Sequence, residues 1–66
     1  PQVTLTAREL EVLELVAAGC SNAETAARLH LSETTVKTHL NRIQARLGLR
    51  NRVEVAVWAW EHGLVR

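Results

Sequence analysis

The sequence predicts an all-α fold of four helices, and three observations predict it. Polar caps recur along the 66-residue chain at Thr6, Ser21, Ser32 and Asn51, and three of these have a glutamate three residues later, at Glu9, Glu24 and Glu54. Between the caps, apolar residues recur at three- and four-residue spacing, the period of a helix with a buried face. No stretch carries the signals of a strand. The expected helices cover about 7–18, 22–30, 33–47 and 52–62. Residues 1–5, opening with Pro1-Gln2-Val3-Thr4, read as the end of a linker.

The first helix starts at the capping box Thr6-Ala7-Arg8-Glu9, with Leu5 and Leu10 at the positions of a hydrophobic staple across it. Leu10, Leu13 and Ala17, with Val12 and Val16 beside them, form its apolar side, and Gly19 ends it. Glu9, Glu11 and Glu14 suit the positive end of the helix dipole and disfavour contact with a polyanion. This helix is expected to be scaffold that faces away from any such partner.

The second helix repeats the cap as Ser21-Asn22-Ala23-Glu24 and carries Ala23, Ala26 and Ala27, small side chains that let a neighbouring helix approach closely. Its first turn offers free backbone N–H groups to an anion. Ser21 and Asn22 are therefore candidates both for capping and for holding a phosphate, capping alone being the more economical account.

His30-Leu31-Ser32 makes a short connection to the third helix, with Leu31 and Val36 again at staple positions. Two short helices joined in this way, the first rich in alanine and the second polar on its outside, form a helix-turn-helix. On the third helix Val36, Leu40, Ile43 and Leu47 fall within about 60° of one another on a helical wheel. The opposite side holds Thr34, Thr38, Asn41 and Ala45, with Lys37 and Arg42 on its shoulders, and Gly48 stops the helix. A greasy stripe opposite short polar residues flanked by cations suits a groove lined with phosphates.

The fourth helix opens with a box-like cap at Asn51 and closes at Gly63. Val53, Ala56, Val57 and Trp60 occupy one side, while Val55, Trp58 and Ala59 take much of the other. A helix apolar nearly all round is buried on more than one side. In so small a chain its second face is expected to meet another chain.

The net charge of +1 hides an asymmetry. Residues 1–27 hold Arg8 against Glu9, Glu11, Glu14 and Glu24, whereas residues 28–52 hold Arg28, Lys37, Arg42, Arg46, Arg50 and Arg52 against Glu33. The bases gather around the third helix, the footprint of a polyanion-facing surface. Arg52 has a rival role, bracing Glu54 or the first helix. The lone Cys20 excludes an internal disulfide and fits a reducing compartment. With no apolar run near the ~18 residues of a membrane span and no signal-peptide pattern, a cytoplasmic location is expected, with no membrane partner.

With those residues laid out, the chain resembles the LuxR/NarL-type, GerE-like helix-turn-helix domain along nearly its whole length. The matching pieces are LTARELEVLELVAAG at 5–19, SNAETAARL at 21–29, SETTVKTHLNRI at 32–43, LGLRNRVE at 47–54 and GLV at 63–65. Any one piece is weak, and the ordered set at these spacings is strong. Thr25 departs from the isoleucine usual in the family and is expected to weaken the packing of the second helix slightly.

The resemblance implies a four-helix bundle, the output domain at the C-terminus of a response regulator, binding double-stranded DNA as a homodimer. The third helix would be the recognition helix in the major groove and the fourth the dimer contact, through Val53, Val57 and Trp60 with Ala56 beside them. Carried over position by position, Lys37, Thr38 and Asn41 become the leading base-contact residues, with Thr34 next. RNA polymerase is a further candidate partner of such a regulator.

The chemistry of these side chains agrees. Lys37 can donate to guanine O6 and N7, Asn41 can pair with adenine N6 and N7, and the threonines offer a hydroxyl and a methyl to base edges. Thr35, Arg42, Ser32 and Arg46, with Ser21 and Asn22, are placed to hold phosphates, which set register and salt dependence. His39, at the edge of the apolar stripe, suits packing or a phosphate contact.

The three histidines and one cysteine show no metal-ligand spacing, no cofactor motif occurs, and no catalytic constellation is present, so an enzyme is not expected. Two other readings stay open at the level of sequence. One is a sigma-factor-like promoter-reading domain, against which the segment 49–65 argues. The other is a helical protein-interaction adaptor working through Trp58 and Trp60.

Overall fold

The computed structural model describes residues 5–65, so the linker reading of residues 1–5 lies, but for Leu5, outside the described residues. Four helices follow in order: α1 (Ala7–Ala17), α2 (Asn22–Leu29), α3 (Glu33–Leu47) and α4 (Arg52–Glu61). Among the described residues there is no strand. The all-α expectation holds.

Each helix starts on a side-chain oxygen. The Thr6 hydroxyl accepts from the Glu9 N–H at 3.1 Å while the Thr6 N–H donates to Glu9 Oε1 at 2.9 Å, and Ser21 and Glu24 repeat both bonds at the same lengths. Ser32 accepts from the Thr35 N–H at 3.1 Å. The fourth cap differs from the box expected of it. Asn51 accepts from the Glu54 N–H at 3.0 Å, but the Glu54 carboxylate accepts from the Arg50 N–H, at 2.7 Å, one residue further back. The turn before α4 is thereby tied at two points.

The helix ends share one device. Beyond α1, α2, α3 and α4 a residue with positive φ reverses the chain, respectively Gly19 (96°), His30 (57°), Gly48 (70°) and Gly63 (70°). The next residue then donates back across the turn: Cys20 to Leu15, Leu31 to Ala26, Leu49 to Gln44 and Leu64 to Ala59, all at 2.8–3.0 Å. The residue after the reversal is apolar each time and turns inward, as Schellman ends require. His30 stands where the other three ends have glycine, in a conformation that costs a residue with a Cβ about 1 kcal/mol or more.

The core is built from every helix. Val12, Leu13 and Val16 of α1 meet Ala26 of α2, Val36, Leu40 and Ile43 of α3, and Val55 and Ala59 of α4. Leu5, Leu10, Leu31, Leu47, Leu49 and Leu64 pack around them, half-buried. α1 is the central element, packing on α4 and α3 and less extensively on α2, while α2 packs chiefly on α3. Thr25 lies fully buried on α2, and its hydroxyl has no hydrogen-bond partner. A buried hydroxyl left in this state costs about 1–3 kcal/mol. None of these helices is long and apolar enough to cross a membrane.

Candidate nucleic-acid interface

Helix α3 divides cleanly along its length. Val36, Leu40 and Ile43 are buried, whereas Thr34, Lys37, Thr38, Asn41 and Arg42 are exposed. The division follows from the 3.6-residue period alone, because the greasy stripe is consumed by α1 and α2 and what remains faces solvent. Four short or flexible polar side chains and a lysine thus form one continuous outer surface. The Thr38 hydroxyl donates to the Thr34 carbonyl at 3.1 Å, which leaves its oxygen to accept from a ligand and its methyl group turned by that bond.

The N-terminal end of α3 carries a second polar group. The Ser32 and Thr35 hydroxyls lie 2.9 Å apart, and Ser32 also accepts from the Thr35 N–H. Thr35 is half-buried and Ser32 exposed, and since one hydroxyl donates to the other, the pair presents one free O–H donor beside the positive end of the α3 dipole. Arg42 stands exposed on the shoulder of the same helix.

At the start of α2, Ser21 is exposed and engaged in its capping box. The bond from the Ser21 N–H, and then its hydroxyl, holds the exposed Glu24 carboxyl below the ordinary glutamate range. Asn22 has a partner the sequence does not announce. Arg52 of α4 donates from Nη1 to Asn22 Oδ1 at 2.7 Å and from Nη2 to the Cys20 carbonyl. Arg52 therefore braces neither Glu54 nor the first helix, as sequence suggested, but the turn between α1 and α2. Because a guanidinium only donates, the Asn22 oxygen must face it and the amide NH₂ points away, free to donate elsewhere.

Arg46 too has a partner the sequence does not announce. Its Nη1 donates to Glu9 Oε1 at 3.0 Å, an ion pair with α1, while its side chain stays 44% exposed. Glu9 is buried, 3% exposed, unlike the exposed Glu11 and Glu14 of the same helix. The Thr6 N–H holds its carboxyl below the ordinary range, against the opposing effect of burial, and Arg46, the Thr6 hydroxyl and His39 act in the same direction as the N–H. A capping glutamate and an arginine 37 positions later carry no shared local pattern, which is why sequence reasoning missed the tie. His39 is half-buried with Nδ1 unpartnered in the interior, so of its two expected roles packing is the one its position serves. Among the described residues no group of three His, Cys, Asp or Glu side chains is arranged to hold a metal.

On α4, Val55 and Ala59 are fully buried and Ala56 half-buried. Val53, Val57 and Trp60 stand out at 71%, 50% and 63% exposed. Trp58 packs against the core edge and stacks on His62, ring centres 3.9 Å apart and 17° from parallel. The two tryptophans thus have different duties, and the exposed apolar stripe contains only one of them.

The family described as bacterial regulatory proteins, luxR family, matches residues 3–59. Response regulator protein VraR of Staphylococcus aureus is 40% identical over 62 residues, covering 94% of this chain and 30% of that protein, and VraR of Staphylococcus epidermidis gives the same figures. A crystal structure of response regulator ChrA, of a heme-sensing two-component system, superposes with a TM-score of 0.85 at 44% identity, covering 97% of this chain and 32% of that one. The chain spans about a third of the length of these relatives.

Proposed function

The chain belongs to the luxR family of bacterial regulatory proteins, DNA-binding regulators of transcription, and on that premise we propose that it is the output domain of a response regulator, reading double-stranded DNA through α3. The carrying observation is the division of α3: Val36, Leu40 and Ile43 inside, Thr34, Lys37, Thr38 and Asn41 outside on one surface. In the major groove Lys37 takes guanine O6 and N7, Asn41 takes adenine N6 and N7, and the threonines meet neighbouring base edges. Thr35, Ser32 and Arg42, with Ser21 and the Asn22 amide across the turn, hold the flanking phosphates. Such a domain works in the cytoplasm and has RNA polymerase as a natural partner.

The apolar stripe of Val53, Val57 and Trp60, with Ala56, pairs two copies about a two-fold axis, so the site read is two-fold symmetric. Support comes from the size and exposure of these side chains on a helix whose other side is already packed.

Duplexes recovered from a random-sequence pool by the wild-type chain supply the specific site. Lys37→Ala and Asn41→Ala are each expected to weaken binding to it by about 1–3 kcal/mol and to relax discrimination at one base pair. Equal losses on selected and random duplexes would rule out base reading by these residues. Absent or salt-insensitive duplex binding would favour a protein-interaction adaptor.

A further inference from the structure

The dimer stripe and the reading helix lie on different helices, and something must fix one relative to the other. Helix α4 packs mainly on α1, through a single stripe that includes the fully buried Val55 and Ala59. Helix α3 packs on α2 and on α1. A helix docked along one stripe can pivot about it unless a second point, off the stripe, is tied down. Arg52, at the first position of α4, supplies that second point. Its guanidinium bonds to the Asn22 side chain and to the Cys20 carbonyl, both at the entrance to α2, 30 and 32 positions away in sequence.

We propose that Arg52 is the positioning residue that sets the angle between the dimer helix and the reading helix, and through it the separation of half-sites that a pair of these domains accepts. The inference rests on the dimer reading given above.

The chemistry suits a rigid strut. A guanidinium is planar, donates two bonds in a fixed fork and stays charged at every physiological pH. Both acceptors lie on the α1–α2 connection, which is itself held by the Ser21–Glu24 box and by the Cys20-to-Leu15 backbone bond. At the other end, Arg50 and Asn51 are both bonded to Glu54, so the segment leading into α4 is equally fixed. The strut therefore joins two braced turns. Removing it should leave each domain folded and α3 intact on α2, while releasing the N-terminal end of α4.

The test uses the 66-residue chain with a two-fold symmetric duplex recovered by selection, and a series in which its half-sites are moved together or apart in single base-pair steps. A duplex carrying one half-site is the reference. The wild type is expected to favour one spacing. Arg52→Ala should flatten that preference by roughly tenfold, as two bonds from a charged donor are lost, with half-site binding changed far less. Arg52→Lys keeps the charge but has no fork, and should fall between. A folded Arg52→Ala chain with the wild-type spacing profile overturns the proposal. If that variant does not fold, an unaltered profile in Arg52→Lys does so instead. A wild-type chain indifferent to spacing overturns the dimer reading itself, and the positioning role with it, which separates the two failures.

Discussion

Arg46 Nη1 reaches Glu9 Oε1 at 3.0 Å, pinning the C-terminal half of α3 to the first turn of α1. The carboxylate is buried and also closes the Thr6 capping box, so one side chain starts α1 and anchors α3. Replacing Arg46 with methionine keeps the apolar stem and leaves Glu9 to Thr6 alone. The expected loss is about 1–2 kcal/mol, below that of a fully buried pair because the Arg46 side chain is 44% exposed. A urea titration reads it as a lower midpoint.

The same carboxyl gives stability a pH dependence. The folded-state pKa of Glu9 lies below the ordinary 4.5. Folding therefore favours the unprotonated form, and its contribution is complete above the ordinary value and lost as pH falls through the lowered one. Thermal midpoints of the wild type should drop on acidification below about pH 4.5, and Glu9→Gln should show a shallower drop from a lower starting point. Identical slopes for the two chains would remove Glu9 from the acid transition.

Thr25→Val should stabilise the domain. The substitution keeps the shape of a fully buried side chain and removes a hydroxyl that has no partner. A gain of about 1 kcal/mol is expected, which in a domain of this size raises the melting temperature by roughly 4–8 °C. Duplex affinity should not move, since Thr25 is inaccessible to DNA.

Arg42 and Arg46 make opposite predictions from neighbouring positions on one helix. Arg42 is exposed at the shoulder of the outer face of α3, and Arg42→Ala should lower the slope of log affinity against log salt by about one. Arg46 is engaged with Glu9, and Arg46→Met should leave that slope in place. Anisotropy titrations across a salt series distinguish the two.

Trp60→Ala should barely affect folding, within about 0.5 kcal/mol, because the side chain is 63% exposed. It should nevertheless weaken binding to a two-fold symmetric duplex while sparing a single half-site. Sedimentation of the protein–duplex complex gives the stoichiometry directly.

The helices and their faces were legible because they are local: a cap oxygen, a glutamate three residues later, an apolar stripe every three or four positions. The buried set Val12, Leu13, Val16, Val36, Leu40 and Ile43 follows from that period. What escaped is long-range or exceptional. The ties Glu9–Arg46 and Asn22–Arg52 join charges and amides distant in sequence, where every exposed-looking polar residue is an equal candidate. The reversal at His30 was hidden because the other three helix ends announce themselves with glycine. A fuller signal was nonetheless present: each reversing residue is followed by an inward apolar one, and His30-Leu31 fits that pair.

The outer face of α3 is separable from the structure that carries it. Thr34, Lys37, Thr38 and Asn41 hold no tertiary hydrogen bond among those described, the bond of Thr38 being to its own helix. Exchanging such exposed positions moves stability little, within about 0.5 kcal/mol each. With bases read at these four sites, as proposed above, the address of such a regulator can be rewritten by drift there while its architecture is inherited unchanged. After a gene duplication, two copies could diverge to different promoters without either passing through an unfolded ancestor.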